Sequence, residues 1–528
     1  MNQFTNKPAL IIAGMLMLLL WLPSNGQVRV PFIQRTSQYS PEKKIYNIKG
    51  DFQMIGNTNL TLETYDDNEP NSNNQMIYVD VDGITSTLNS SSATLAFPVE
   101  NNSVQECSNI IYAGLYWIGR AHDGGTSSPN TFSVTKTVPD YNNPTLNTTN
   151  YTNILNNGNI TNTNYTLTIS QQGTSNEYYP RYTFTSSAGG PTVIFESQLS
   201  TATPNFNVRY STDGGTTWTN ASNQVVSTPA TNRCLITFTP VSIYSNTDGT
   251  SLKVTSLYRD SRNERTLAQM LDGRTYANVE VKYNTYPNVS VTKNFDKSVV
   301  SLKHASEAGY FTVNATDVTF TKNIYYPTTT DGYMYSAYAE VTDYVKSHGL
   351  GAYTVADIAL REGNGGSTGF FGGWGMIVVY ENSKMKWRDV TIFDGHAYVQ
   401  GNTTASYQLP VDGFRTAQNG SISMKLGLIA GEGDRSISGD FFQILPHDKL
   451  SLTTPAETDW ISLSHSGNST NNFFNSSIPA PANSRYPQYT NNTGVDIAMF
   501  NITNTNNTIV TNNQSSTRFR YGSTQDTY

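Results

Sequence analysis

Carboxylates gather at a few places in this 528-residue chain, and their surroundings are those of metal-binding loops. Asp66 and Asp67 sit in "YDDNEPNSNN", and Asp80 and Asp82 follow in "VDVDG". Glu432, Asp434 and Asp440 lie in "GEGDRSISGD", and Asp496 in "NNTGVD". Calcium takes roughly six to eight oxygen ligands, which loops of Asp, Asn and Gly can supply. These eight acids are therefore the candidate calcium ligands. EF-hand spacing is absent, and Asp and Asn also populate turns for backbone reasons, so solvated turns are the competing reading. Pairs such as Glu362/Glu381 or Glu432/Asp434 would suit glycoside hydrolysis only at carboxyl separations of about 5 to 9.5 Å. Sequence supplies no separations, and no catalytic residue is assigned.

The most motif-like stretch is "STDGGTTW", in which Ser211, Asp213, Gly215, Thr217 and Trp218 fit the pattern S-x-D-x-G-x-T-W. It resembles the Asp-box of sialidases and other propeller glycosidases. A propeller needs several copies, and the chain carries one. The residues themselves describe a turn: Asp213 can accept backbone N–H groups, the glycines allow positive φ, and Trp218 can pack beneath. A structural hairpin is the expectation. His396, in "FDGHAY", follows an expected turn at Asp394-Gly395 and has no nucleophile elbow to serve, so it reads as a loop histidine. Cys107 and Cys234 are the two cysteines. In an oxidising compartment they can form a disulfide, and otherwise they are free thiols. Two cysteines alone do not make a zinc site. The Gly-rich "NGGSTGFFGGW" places Phe370, Phe371 and Trp374 on an expected loop, where aromatics could stack on sugars or dock a protein.

The elements that would position these groups read as strands. "NLTLETY", "SATLAFP" and "SMKLGLIAGEGD" alternate apolar and polar residues, as half-buried strands do. "IIYAGLYWIG" and "GGWGMIVVYEN" are apolar on both faces and predict central, doubly covered strands. Two helices are expected: "EVTDYVKSHG", with Thr342 as N-cap and Gly349 after its end, and "RNERTLAQMLDG". No fixed-period repeat is visible, which disfavours a solenoid or propeller.

Composition agrees with an exported β protein. Charged residues are 14% of the chain, against roughly 25% in ordinary domains, and 33 tyrosines accompany abundant Asn, Thr and Ser. Net charge is −7 with no basic run, which excludes a nucleic-acid partner. Lys7, the apolar "ALIIAGMLMLLLWL" and the small or polar "PSNGQ" read as a signal peptide over 1–26, with no transmembrane segment after its cleavage.

At "CSNIIYAGLYWIGR", "GAYTVADI", "FFGGWGMIVVYENSKMKWRDVTIFDG" and "GEGDRSISGD" the wording resembles the N-terminal region of large bacterial cell-surface proteins of the gliding-motility-associated, type IX secretion type. The resemblance covers roughly 50–125 and 310–528. It implies a secreted or surface-exposed β-rich region and no catalytic residues. The expected fold is mostly β, built of antiparallel β-sandwich modules, jelly-roll or immunoglobulin-like, with few short helices. The expected main domain is discontinuous, 27–125 and 301–528, and an inserted β-rich module over 126–300 carries the hairpin. The expected function is a non-enzymatic adhesive or envelope-structural protein that binds glycan or a surface protein. A secreted carbohydrate-active enzyme, or its binding module, is the alternative.

Overall fold

The computed structural model describes residues 27–526 except 38–41, 122–129, 144, 152–157, 160–164, 175–176, 187–191, 200–205, 223–224, 227–232, 245–250, 261–276, 317–333, 400, 402–405 and 480–484. The expected signal peptide over 1–26 and the helix expected at "RNERTLAQMLDG" therefore fall outside the described residues. The rest is mostly β, with many antiparallel sheets and one described α-helix, consistent with a sandwich-type fold. The chain divides into two units: the first contains 1–81, 86–135 and 292–528, the second 82–85 and 136–291.

The strands that matter in the first unit are, in chain order, β1 (Ile45–Thr58), β2 (Ser90–Leu95), β3 (Asn109–Arg120), β4 (Val299–His304), β5 (Met334–Glu340), β6 (Gly351–Ala356), β7 (Gly372–Glu381), β8 (Trp387–Thr391), β9 (Phe393–Tyr398), β10 (Ser406–Asp412), β11 (Met424–Gly431), β12 (Phe441–Ile444), β13 (Val495–Ile502) and β14 (Ser516–Gly522). A central antiparallel sheet has the order β5-β3-β7-β1-β8. β3 and β7 pair along their length, with Trp374 opposite Trp117. Both faces of these strands are covered, which is why they read as unbroken apolar runs. On one face the Trp374 indole N–H donates to Ser91 Oγ on β2 (2.9 Å), and Asn57 Nδ2 donates to the Ser92 carbonyl. β2 belongs to a second sheet that includes β4 and β6.

The opposite face meets the β11–β13 pair. Ile429, Val495 and Ile497 pack against Phe52, Met54 and Ile377. Glycines permit this close approach: a Cβ on Gly375 would lie 2.6 Å from Ile429 Cδ1. The alternate residues of the same pair, Met424, Leu426, Leu428 and Ile502, face Phe442, Ile444, Phe519 and Tyr521 of β12 and β14. The period-2 pattern of "SMKLGLIAG" thus serves two cores at once.

Three local expectations change. Asp394-Gly395 is not a turn but lies within β9, which pairs with Gln27–Gln34. Asp394 is drawn inward there by Arg35 (2.5 and 2.7 Å) and the Tyr116 hydroxyl (2.8 Å). His396 is accordingly on a strand, half-buried, with Nδ1 2.8 Å from Ser336 Oγ. In the helix α1 (Thr342–His348), Val341 occupies the N-cap position and Thr342 is the first helical residue. The Thr342 hydroxyl instead accepts from the Ala113 amide and donates to Glu340, tying the helix to β3.

The second unit contains two antiparallel sheets, of six and five strands. Leu167, Tyr182, Phe184, Phe195 and Val208 of the first are buried, as are Ile236, Phe238, Val254 and Leu257 of the second. Phe195 and Phe238 stack across the interior with ring centroids 6.0 Å apart.

Candidate functional site

The acidic groups sort into two classes. Asp66 and Asp67 are exposed and act within their own loop, accepting from the Asn68 amide and the Tyr65 hydroxyl. Asp80 accepts from Ser90 Oγ, and Asp82 from the Ile84 amide in a turn. These four act as turn and local groups, in keeping with the solvated-turn reading of their loops. Amides two residues further on bind Asp66 and Asp82, and hydroxyls bind Asp67 and Asp80.

Glu432, Asp434, Asp440 and Asp496 behave differently. They are 1%, 1%, 0% and 2% exposed, and Asp526, just beyond β14, joins them at 6%. The loop after β11 places Glu432 and Asp434, the entry to β12 places Asp440, and β13 carries Asp496. Glu432 is held at φ 91° while its amide donates to the Gly494 carbonyl (2.7 Å). Ligand oxygens of Glu432, Asp434 and Asp526 all lie within 4.8 Å of one another. These three could share one ion.

Hydrogen bonding separates the members further. Asp496 accepts from the amides of Asn475, Ser476 and Ser477 at 2.9–3.2 Å, so its oxygens pin that loop. Asp434 accepts from the Asn71 amide (3.1 Å) and Ser72 Oγ (2.8 Å) and leans toward Asp526, whose Oδ2 takes the Asp434 amide (3.1 Å). Glu432 Oε2 and both oxygens of Asp440 are buried without a well-formed hydrogen bond, as are the amide oxygens of Asn71 and Asn472. Burial and acidic neighbours raise the carboxyls of Glu432, Asp434, Asp440 and Asp496. Asp434 is pushed up to about 7 and Asp440 to about 8, in each case by burial first and then by Asp526. Glu432 lies well above the ordinary carboxylate range through burial and its acidic neighbours, with Arg120 partly opposing. Asp496 rises to about 7, the three amides working against its burial.

Phe370, Phe371 and Trp374 are not on an open loop. They are 8%, 3% and 0% exposed, which overturns their expected place in a binding surface. Phe371 packs with Met334 and Tyr398, and the Arg120 guanidinium lies 5.2 Å from the Phe370 ring. The glycines around them serve close packing: a Cβ on Gly369, at φ +73°, would sit 2.6 Å from the Asn71 carbonyl group.

Among the described residues the most exposed aromatic is Trp387, at 64%, ahead of Phe311 at 51% and Tyr65 at 38%. It starts β8, an edge strand of the central sheet, opposite Lys49 of β1. Alternation puts Tyr46, Ile48 and Val390 into the core and leaves Ile45, Asn47, Lys49, Trp387 and Asp389 along the outer side. Lys49 Nζ is 5.9 Å from the indole ring, and Asn47 Nδ2 donates to Asp389 Oδ1. The strip combines an aromatic face with amide, carboxylate and ammonium groups. The sequence signal for it was the alternation of Tyr46 and Ile48 with Asn47 and Lys49 in "IYNIKG", beside "KWRDV".

In the second unit the hairpin groups are satisfied internally. Asp213 accepts from the Thr216 and Thr217 amides and both neighbouring hydroxyls, and the Trp218 indole N–H donates to the Gly215 carbonyl (3.0 Å). Hydrogen bonding to the charged form holds the Asp213 carboxyl below its ordinary value. Cys107 is an exposed free thiol in the turn Gln105–Cys107, and the side chain of Cys234 lies outside the described residues. The two residues lie in different units. Among the described residues no helix is long and apolar enough to cross a membrane. Compared with known proteins, the chain matches no family model, no curated protein and no solved structure.

Proposed function

We propose that this chain is a secreted or cell-surface, non-enzymatic binding protein whose ligand is a glycan, held on the outer strip around Trp387. The observation that carries this reading is the indole itself. Trp387 is 64% exposed on a sheet edge, and its flat apolar face matches the C–H face of a pyranose. The flanking Asn47, Lys49 and Asp389 supply donors and acceptors for hydroxyl groups on either side of the ring. A neutral, hydroxyl-rich ligand also suits a chain with so few charges. The acids that converge among the described residues, Glu432, Asp434 and Asp526, are buried, which supports a binding rather than a hydrolytic reading. The signal-like leader and the wording shared with large surface proteins support an exported location.

The test is a broad glycan array probed with mature protein and with Trp387→Ala. Specific binding lost in the variant, with an unchanged melting temperature, supports the reading. Binding that survives Trp387→Ala, or hydrolysis of any arrayed glycan, overturns it.

A further inference from the structure

We infer that Glu432, Asp434 and Asp526 together bind one divalent cation of the calcium type, with Asp440 adding negative charge beside it. The inference is independent of the glycan reading and concerns a different part of the first unit.

Geometry comes first. Three carboxylates from two distant chain segments bring ligand oxygens within 4.8 Å of one another in an interior only 1–6% exposed. Carboxylates so close repel, and burial removes the water that would screen them. Proteins do not gather buried like charges without a compensating ion or proton.

The second observation is the unsatisfied oxygens. Glu432 Oε2 is fully buried and accepts no well-formed hydrogen bond among the described residues, and Asp440 has only a loose contact with the Ser523 hydroxyl. Such acceptors are rare in native interiors, because leaving them unmade forfeits their hydration with nothing in return. Asn71, whose amide holds Asp434, and Asn472, bridged to Asp440, carry further unpartnered amide oxygens at the margin. A hard cation is the chemical species that satisfies oxygens of this kind and number at once.

The donor set then selects the ion. The group is all oxygen, with no His or Cys, which disfavours zinc and other soft or borderline metals. Magnesium keeps several waters and demands near-octahedral geometry, which a buried cluster on irregular loops does not offer. Calcium tolerates irregular carboxylate and amide ligation. Asp496 is excluded as a ligand because three backbone amides already occupy it; it anchors the loop that closes the site. The ion would staple the segment after β14 to the loop after β11, two parts of the chain joined by no strand pairing there.

The test uses the full mature chain, stripped with chelator and titrated calorimetrically with Ca²⁺, Mg²⁺ and Zn²⁺ separately. One equivalent of Ca²⁺ should bind, more tightly than either other ion, and raise the melting temperature by about 3 °C or more. Glu432→Gln and Asp434→Asn should each weaken Ca²⁺ binding about 100-fold or more. In chelator, Glu432→Gln should melt at or above the wild-type temperature, which shows that it folds and separates lost binding from lost structure. Asp66→Asn/Asp67→Asn, in the exposed loop, should bind as wild type does. The inference is overturned by no Ca²⁺ effect at millimolar concentration, by undiminished binding in both cluster variants, by loss of binding in the exposed-loop variant, or by preference for Zn²⁺ or Mg²⁺.

Discussion

Replacing Asp440 by Asn should stabilise the cation-free protein and weaken the calcium-loaded one. Asp440 is 0% exposed, and its carboxyl is raised from 3.8 to about 8. A carboxyl raised on folding stabilises fully only below its unfolded value; stability is lost as pH rises from there through the folded value. At pH 7 the chain stands roughly three pH units above the unfolded value, each worth about 1.4 kcal/mol, so this one group costs on the order of 4 kcal/mol. Asn has the same shape and no ionisation, and about half that figure should survive relaxation of the loop. In chelator at pH 7, Asp440→Asn should therefore unfold at a higher urea midpoint, by about 2 kcal/mol, with the gain vanishing near pH 4. In saturating Ca²⁺ the order should reverse, because the variant has removed charge that favours the ion. The assay is urea unfolding followed by circular dichroism at pH 4, 7 and 8.5, with and without Ca²⁺. Equal destabilisation of the variant in every condition would refute the reasoning, since it would make Asp440 an ordinary structural acceptor.

Other perturbations probe the frame. Gly375→Ala places a methyl 2.6 Å from Ile429 Cδ1 and should cost about 1–3 kcal/mol in urea unfolding, partly recovered by Ile429→Val. In the second unit, Glu196 is fully buried between Arg181 and Arg209. Glu196→Ala should leave both guanidinium groups unpaired and cost about 1–3 kcal/mol, discounted for their partial exposure, read as faster hydrogen exchange in 177–186, 193–199 and 206–211. Asp213→Ala should release the Thr216 and Thr217 amides, so their exchange protection should fall while strands away from the hairpin keep theirs. The same protection should fade in the wild type as pH drops through the lowered Asp213 value.

Strand identity was legible wherever burial and periodicity coincide. "IIYAGLYWIG" and "GGWGMIVVYEN" are apolar on both faces because β3 and β7 lie inside a sheet covered on both sides, and "SMKLGLIAG" alternates because each face of β11 meets a different partner. The hairpin at Ser211–Trp218 was legible for a related reason: its side-chain hydrogen bonds join residues at most four apart. Local sequence determines what local geometry satisfies. Burial of the aromatics in "NGGSTGFFGGW" was not legible, because a Gly-rich stretch reads as open loop whether its glycines provide freedom or allow Asn71 to approach Gly369.

The acidic groups divide along the same line. Their residue types alone suggested an oxygen-liganded cation, yet Asp66 and Glu432 look equivalent as text. Only the tertiary structure separated them. It left one beside its own turn's amide and carried the other, with Asp434, Asp440 and the unremarked Asp526, into an interior shared by β11, β12 and the segment after β14. The distances that make a carboxylate cluster are set by pairings between residues about ninety positions apart, and no local pattern encodes them.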